Sequence, residues 1–330
     1  MFYYSTKDKF GVLSAIGKTP LVELKNLFAF ADIHIYAKLE MLNPGGSLKD
    51  RSALNIVKSA FLRGEIDANT VVIESSSGNL GVGLAQVCLA LKLRFICVVD
   101  PKIAQQNLKL LRLYGAEIIM VEEPEPDTQS FLQARINRVK SLLDSIPNSF
   151  WCNQYGNLDN ADAHSETMSE ILEDCDREVD FLFCAVSSTG TLRGCSEYLT
   201  KLEAKTKVIA VDAVGSVIFG GKPGKRLIPG HGSARVPELF KPSLANKHVQ
   251  VSDLDCVISC HLLLREEAIL AGGSSGGVIS AIHKMLPKIP PNSTCVAILC
   301  DRGERYLDTI YSQDWVSKHF GDISNFQQKP

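Results

Sequence analysis

The sequence predicts an α/β fold built on parallel sheets. Three observations carry this. Short β-branched runs alternate with longer helical patterns, most of the runs are apolar almost without a break, and turns rich in hydroxyls and glycine lead from a run into a helix. A strand covered on both faces has no solvent side and loses the apolar–polar alternation of a half-exposed one. Strand–helix alternation is in turn the mark of crossover connections.

In chain order, strands are expected at 33–38, 70–74, 95–99, 117–121, 181–186, 208–212 and 295–300. Amphipathic helices are expected at 50–62, 79–91, 103–114, 130–143, 162–173, 192–202 and 277–285. Gly64 and Gly115 follow the first and third helices, where a C-terminus favours a left-handed residue. Residues 122–127, Glu-Glu-Pro-Glu-Pro-Asp, read as a solvated acidic loop, and the chain from Ser324 onward as a loose polar tail.

A chain of 330 residues, 45% hydrophobic and 22% charged, has enough apolar material for two packed domains or one large one. The net charge of -2, with no run of like charges, gives nothing that favours nucleic-acid binding, where a basic face or stripe is expected. No segment has the roughly 18 consecutive apolar residues of a membrane helix. Residues 1–10 lack the basic start, apolar stretch and cleavage site of a signal peptide, so a cytoplasmic location is expected. No disulfide is expected among the ten cysteines. Cys97, Cys184 and Cys300 lie in apolar runs, where cysteine acts as a small hydrophobe. Cys256, Cys260 and His261 lack the further ligands of a structural zinc site, so no metal is expected.

Four motifs carry possible chemistry, and each has a plainer reading. In Asn43-Pro44-Gly45-Gly46-Ser47-Leu48-Lys49-Asp50-Arg51, a tight turn leads to a helix that Ser47 would cap. Lys49 then stands in a first turn whose field disfavours a cation and helps keep the amine neutral and nucleophilic; otherwise it is a surface lysine. Ser75-Ser76-Ser77-Gly78-Asn79-Leu80-Gly81 offers hydroxyls and amides at a helix start, a cradle for carboxylate or phosphate or an ordinary connection. Ser187-Ser188-Thr189-Gly190-Thr191 suits a phosphate without being a P-loop. Gly272-Gly273-Ser274-Ser275-Gly276-Gly277 would let backbone approach a flat ligand, with Ser274 as a neutral hydrogen-bonding group, or is a flexible loop.

The order of these motifs resembles the fold-type II pyridoxal-phosphate enzymes of the cysteine synthase and cystathionine β-synthase family, over residues 13–311. Ile16-Gly17-Lys18-Thr19-Pro20-Leu21-Val22 is similar to the family's N-terminal signature. Lys38-Leu39-Glu40 followed by Asn43–Arg51 is similar to its lysine motif. The resemblance implies a fold like the tryptophan synthase β chain: two open twisted sheets flanked by helices, in two domains. A small mobile domain of residues 48–150 would close on a larger cofactor-binding one of 1–47 plus 151–330, with the site between them.

It further implies pyridoxal 5′-phosphate as cofactor. Lys49 would hold it as an imine and serve as general base. Asn79 would meet the ring hydroxyl, Ser187, Ser188, Thr189, Gly190 and Thr191 the phosphate, and Ser274 the pyridine nitrogen. Ser76, Ser77, Gly78 and Gln154 would hold the substrate's α-carboxylate. The reaction implied is β-replacement through an aminoacrylate, in a homodimer acting on amino acids.

Arg235 stands where a sulfide-using member carries a bulky apolar residue, Arg302 at a normally small position, Tyr155 beside Gln154, and Leu80 in place of a hydroxyl residue. Arginine binds carboxylate and phosphate bidentately, so the departures point to a more anionic substrate pair. The stretches 155–157, 211–220, 233–237 and 301–303 resemble the siderophore-pathway branch, which joins O-phospho-L-serine to L-glutamate on the way to 2,3-diaminopropionate. Its product would pass to an NAD-dependent oxidative partner. Arg235 or Arg302, and more weakly Arg135, would hold phosphate or glutamate carboxylate, and Tyr155 would orient the incoming amine. Cysteine synthesis with sulfide is the alternative.

Overall fold

The computed structural model describes residues 11–127 and 130–323. The polar start at 1–10 and the tail from Ser324 lie outside them. The described residues form two compact units, one within 1–17 and 43–160 and the other within 18–42 and 161–330.

The elements run, in chain order, β1 Leu21–Glu23, β2 His34–Leu39, α1 Lys49–Leu62, β3 Val71–Ser75, α2 Asn79–Leu91, β4 Arg94–Val99, α3 Gln105–Leu113 and β5 Glu117–Met120. There follow α4 Phe131–Ser145, β6 Ser149–Trp151, α5 Leu158–Asp174, β7 Phe181–Ala185, α6 Gly190–Lys201, β8 Lys207–Ala213, β9 Lys247–Val251, α7 Asp253–Glu267, α8 Gly273–Met285, β10 Thr294–Leu299 and α9 Gln313–Phe320.

The first unit carries an all-parallel four-stranded sheet in the order β5-β4-β3-β6. Each of the five β3 residues is buried, as a strand with helices on both faces requires. This unit takes in residues 11–17 and 43–47, expected in the larger domain, and residues 151–160, beyond the 48–150 expected. A forked pair holds the last of these there: Arg63 donates from Nη1 and Nη2 to the two Asp159 carboxylate oxygens at 2.9 and 2.7 Å.

The second unit carries a six-stranded sheet ordered β1-β2-β10-β7-β8-β9, parallel except at the β1 edge. The α/β class with two sheets, expected from the sequence, is therefore present. Its deepest cation is Lys38, whose fully buried Nζ reaches the Thr19 carbonyl at 2.6 Å, Glu170 at 2.9 Å and Asp174 at 3.1 Å. A buried ammonium needs such partners.

Several elements escaped the sequence reading. β1 and β6 are three residues each, too short for a pattern. β9 is an edge strand whose first four residues are exposed or half-exposed. α7 packs apolar residues on several sides, which blurs its stripe, yet its start was readable. Ser252 accepts from the Asp255 amide while the Asp255 carboxylate accepts from the Ser252 amide, a full capping box. Gly64 and Gly115 do adopt positive φ of 72° and 79°.

The Gly/Ser stretch 272–277, open to reading as a flexible loop, is instead the N-cap and first turn of α8. Its glycines serve helix packing: a Cβ at 276 would lie 2.2 Å from the Cys256 carbonyl oxygen, and one at 277 would lie 2.8 Å from His231. All ten cysteines are buried free thiols. Among the described residues no helix is long and apolar enough to cross a membrane.

Candidate active site

Lys49 is the first residue of α1, and the turn before it is organised by Asp50. The Asp50 carboxylate accepts from the Gly45 amide at 2.5 Å and from the Ser47 hydroxyl at 3.4 Å. A Cβ at residue 45 would come within 2.7 Å of Asp50 Oδ1, so the turn requires glycine. The N-cap position belongs to Leu48, in helical backbone and without a side-chain cap. Ser47 braces the helix from one residue further out, its Oγ accepting from the Lys49 amide at 3.2 Å. The Lys49 carbonyl oxygen lies 3.2 Å from where a Cβ on Gly83 would be, so α1 starts against α2 one turn from Asn79, the first residue of α2.

The 75–78 turn joins β3 to α2. Ser76 spends its hydroxyl inside the turn, accepting from the amides of Gly81 at 3.1 Å and Gly78 at 3.4 Å. Ser77 is half-buried. Its carbonyl accepts from Asn107 Nδ2 at 3.1 Å, and its Oγ accepts from Arg135 Nη1 at 3.3 Å. Arg135 reaches it from α4 and is ion-paired through Nε with Asp100 at 3.2 Å; its side chain is only 11% exposed.

Gln154 and Tyr155 are half-buried in the turn after β6, where Asn153 takes a left-handed φ of 45°. The Gln154 amide donates to Glu74 Oε2 at 3.2 Å, and its carbonyl accepts from Asn160 Nδ2 at 2.7 Å. Burial pushes the Glu74 carboxyl up to about 7, against the pull of its amide donors and of Arg135. Thus Asn79, Ser77, Arg135, Glu74 and Gln154 belong to one connected region of the first unit. Glu74 and Asp100 were missed by the sequence reading. The available signal was a carboxylate closing each of two apolar strand runs, 71–74 and 95–100.

In the second unit, Ser187–Thr191 joins β7 to α6. Thr189 is the N-cap, held at a left-handed φ of 64°, and Ser188, Thr189 and Thr191 are at most 6% exposed. Thr191 Oγ1 lies 3.2 Å from His164 Nε2, while the buried Thr189 Oγ1 has no hydrogen-bond partner among the described residues. Buried hydroxyls and amides at a twelve-residue helix's N-terminus are the donor set a phosphate dianion needs. Ser274 lies in the first turn of α8, 8% exposed.

The loop carrying Arg235 is tied to this turn, since the Gly232 amide donates to the Val186 carbonyl at 2.7 Å. Arg235 is half-buried, its amide donating to Ser233 Oγ at 3.2 Å. Arg302 is exposed, with Nε on the Met41 carbonyl at 2.9 Å.

A family described as pyridoxal-phosphate dependent enzyme matches residues 12–301. Among solved structures, an O-acetylserine dependent cystathionine β-synthase from Helicobacter pylori is 31% identical, with 91% of this chain and 98% of that one covered and a TM-score of 0.85. Cysteine synthase from Entamoeba histolytica is 30% identical, over 97% of this chain and 93% of that one, at a TM-score of 0.86. An O-ureido-L-serine synthase is 29% identical, over 93% and 98%, at 0.83.

Proposed function

The chain belongs to the pyridoxal-phosphate-dependent enzymes, in the β-replacement family of cysteine synthase and cystathionine β-synthase, and on that premise we propose that it joins O-phospho-L-serine to the amine of L-glutamate. The products are N-(2-amino-2-carboxyethyl)-L-glutamate, a precursor of L-2,3-diaminopropionate, and phosphate.

The observation that carries this choice is Arg135. Its guanidinium is held by Asp100 and donates to Ser77, placing a fixed cation on the turn expected to bind the substrate's anions. A guanidinium has five N–H groups, so contacts remain for a phosphate ester. An acetyl leaving group would not need it.

When bound, the cofactor draws electrons from Cα and so lets the β-substituent depart. Lys49 would hold the cofactor and carry the Cα proton on its amine. Asn79 would donate to the ring hydroxyl, Ser274 would meet the ring nitrogen, and Ser187 to Thr191 would hold the phosphate. Ser77, Gly78 and Gln154 would bind the α-carboxylate; Ser76, whose hydroxyl is committed to the Gly78 and Gly81 amides, would shape that turn. Tyr155 would orient the glutamate amine, and Arg235 or Arg302 a glutamate carboxylate. A cytoplasmic homodimer, and onward oxidation of the product by an NAD-dependent partner, go with this reading on the resemblance alone.

The test is to incubate the holoenzyme with O-phospho-L-serine and either L-glutamate or sulfide, following phosphate and product mass. A carbon–nitrogen-linked product formed with glutamate supports the proposal. Cysteine formed with sulfide, and no product with glutamate, replaces it with cysteine synthesis, the reading that the acetylserine-dependent relative favours. Lys49→Ala is expected to lose the visible absorbance of the bound cofactor whichever substrate is right.

A further inference from the structure

Glu74 sits where β3 ends, 2% exposed, and none of the chemistry above uses it. Its carboxylate gathers three N–H donors. Oε1 accepts from the Ser75 amide at 2.6 Å and from Trp151 Nε1 at 3.3 Å, and Oε2 accepts from the Gln154 amide at 3.2 Å. The Ser75 amide opens the anion turn, and the Gln154 amide belongs to the other segment expected to hold the substrate's α-carboxylate. A single side chain therefore spans both, between strands already in register, with Ile73 opposite Trp151.

The far sides of these segments are fixed independently. Asn160 Nδ2 holds the Gln154 carbonyl at 2.7 Å, and Cys97 Sγ donates to the Ser76 carbonyl at 3.1 Å. Glu74 bridges the two segments directly, beyond the β3–β6 ladder and the backbone bond from the Cys152 amide to the Ile73 carbonyl at 3.2 Å.

We propose that Glu74 is a positioning residue for substrate recognition, a carboxylate clasp that sets the spacing between the 75–78 turn and the Gln154 turn. The proposal rests on the reading that these two turns bind the α-carboxylate. A carboxylate makes stronger hydrogen bonds to amides than the neutral acid, so the clasp is tight when Glu74 is ionised and slack when it is protonated. The groups facing it are Arg135 from α4, itself paired with Asp100, and the thiols of Cys97 and Cys152, which burial keeps protonated. Arg135 thus supplies a nearby positive charge that opposes protonation, and on this proposal the clasp tightens and slackens around neutral pH.

Holoenzyme, Glu74→Gln and Glu74→Asp are compared from pH 6 to 8.5 for the KM of O-phospho-L-serine, for kcat and for the cofactor's visible band. Glu74→Gln is expected to raise KM about tenfold at pH 8, the scale of a lost charge-assisted hydrogen bond. Its effect should shrink toward pH 6, with kcat and the visible band near those of the parent. Taking the ratio of variant to parent at each pH removes the substrate's own ionisation. Glu74→Asp, which keeps the charge, should recover part of the loss and the pH dependence.

An unchanged KM ratio at every pH overturns the proposal and leaves Glu74 a buried strut. Should Glu74→Gln not fold, Trp151 provides a second readout in protein with native Glu74. In a Trp315→Phe background its fluorescence should titrate near neutral pH, and a flat signal also overturns the clasp. If Ser77→Ala and a Gln154 variant leave KM untouched, the α-carboxylate reading fails by itself, whatever Glu74 does.

Discussion

The 75–79 segment of the first unit and the 187–191 segment of the second share one local design: a buried parallel strand, a hydroxyl-rich turn and a helix N-terminus. They differ in what braces them. The first is surrounded by charge: Glu74 beneath it, Arg135 on its Ser77 hydroxyl and Asp100 behind Arg135. The second is braced by a Thr191–His164 contact and the Gly232–Val186 backbone bond, with a buried Thr189 hydroxyl that has no hydrogen-bond partner among the described residues. Charged braces strengthen hydrogen bonds but make a seat sensitive to pH and to the charge of its guest. Neutral hydroxyls and a helix dipole hold an anion steadily. The first arrangement suits a substrate that comes and goes, the second a phosphate that stays.

The largest test of this contrast is Arg135→Ala. We expect it to raise KM for O-phospho-L-serine by about 100-fold while changing that for O-acetyl-L-serine far less, because a buried charge-assisted contact is lost only for the phosphate ester. Equal losses for both substrates would make Arg135 a general brace. Thr189→Val, on the neutral seat, should weaken cofactor retention about tenfold in equilibrium dialysis, with substrate KM near that of the parent. A change in KM with unchanged cofactor affinity would break the assignment of the two seats.

The units should also respond to pH with opposite signs. Glu74, at about 7 in the folded chain against an ordinary 4.5, favours the folded state fully below pH 4.5. That contribution is lost as pH rises toward 7. His231 is buried, and desolvation lowers it to about 4 from an ordinary 6.5. Its contribution is complete above pH 6.5 and is lost as pH falls toward 4. Each slope reaches at most ~1.4 kcal/mol per pH unit. Urea unfolding followed separately at Trp151, in the first unit, and Trp315, in the second, should show the first gaining stability and the second losing it between pH 6.5 and 5. A common shift at both probes would mean that the units unfold together.

The smallest effect is expected from Arg302→Ala. The side chain is exposed and donates from Nε to the Met41 carbonyl, so kcat/KM should change by roughly threefold or less, as for solvent-screened contacts. A loss comparable to that of Arg135→Ala would restore Arg302 as an anion-binding residue.

Much of this was legible in the amino-acid order. Parallel strands declare themselves as apolar runs, and the turns at 45–50, 75–79 and 187–191 carry the glycines and hydroxyls their backbones need. The family resemblance was legible in the same residues. The position of Lys49 at a helix start and of Thr189 at another follows from local chemistry that neighbours in sequence supply.

Other features needed the fold. Gly276 looks like part of a loop in sequence but lies in a helix, and only the approach of α8 to Cys256 explains why no side chain fits there. Sequence reading ranks Arg135 behind Arg235 and Arg302 as an anion-binding candidate; its burial and its contacts with Asp100 and Ser77, which only the fold shows, are what the proposal rests on. Glu74 reads as the polar end of a strand until β6 pairs beside β3 and delivers the Trp151 indole and the Gln154 amide to its carboxylate. Local backbone preferences act over a few residues and can be read from sequence, whereas close packing and the electrostatics of a buried charge depend on partners that only the folded chain brings within a few ångströms.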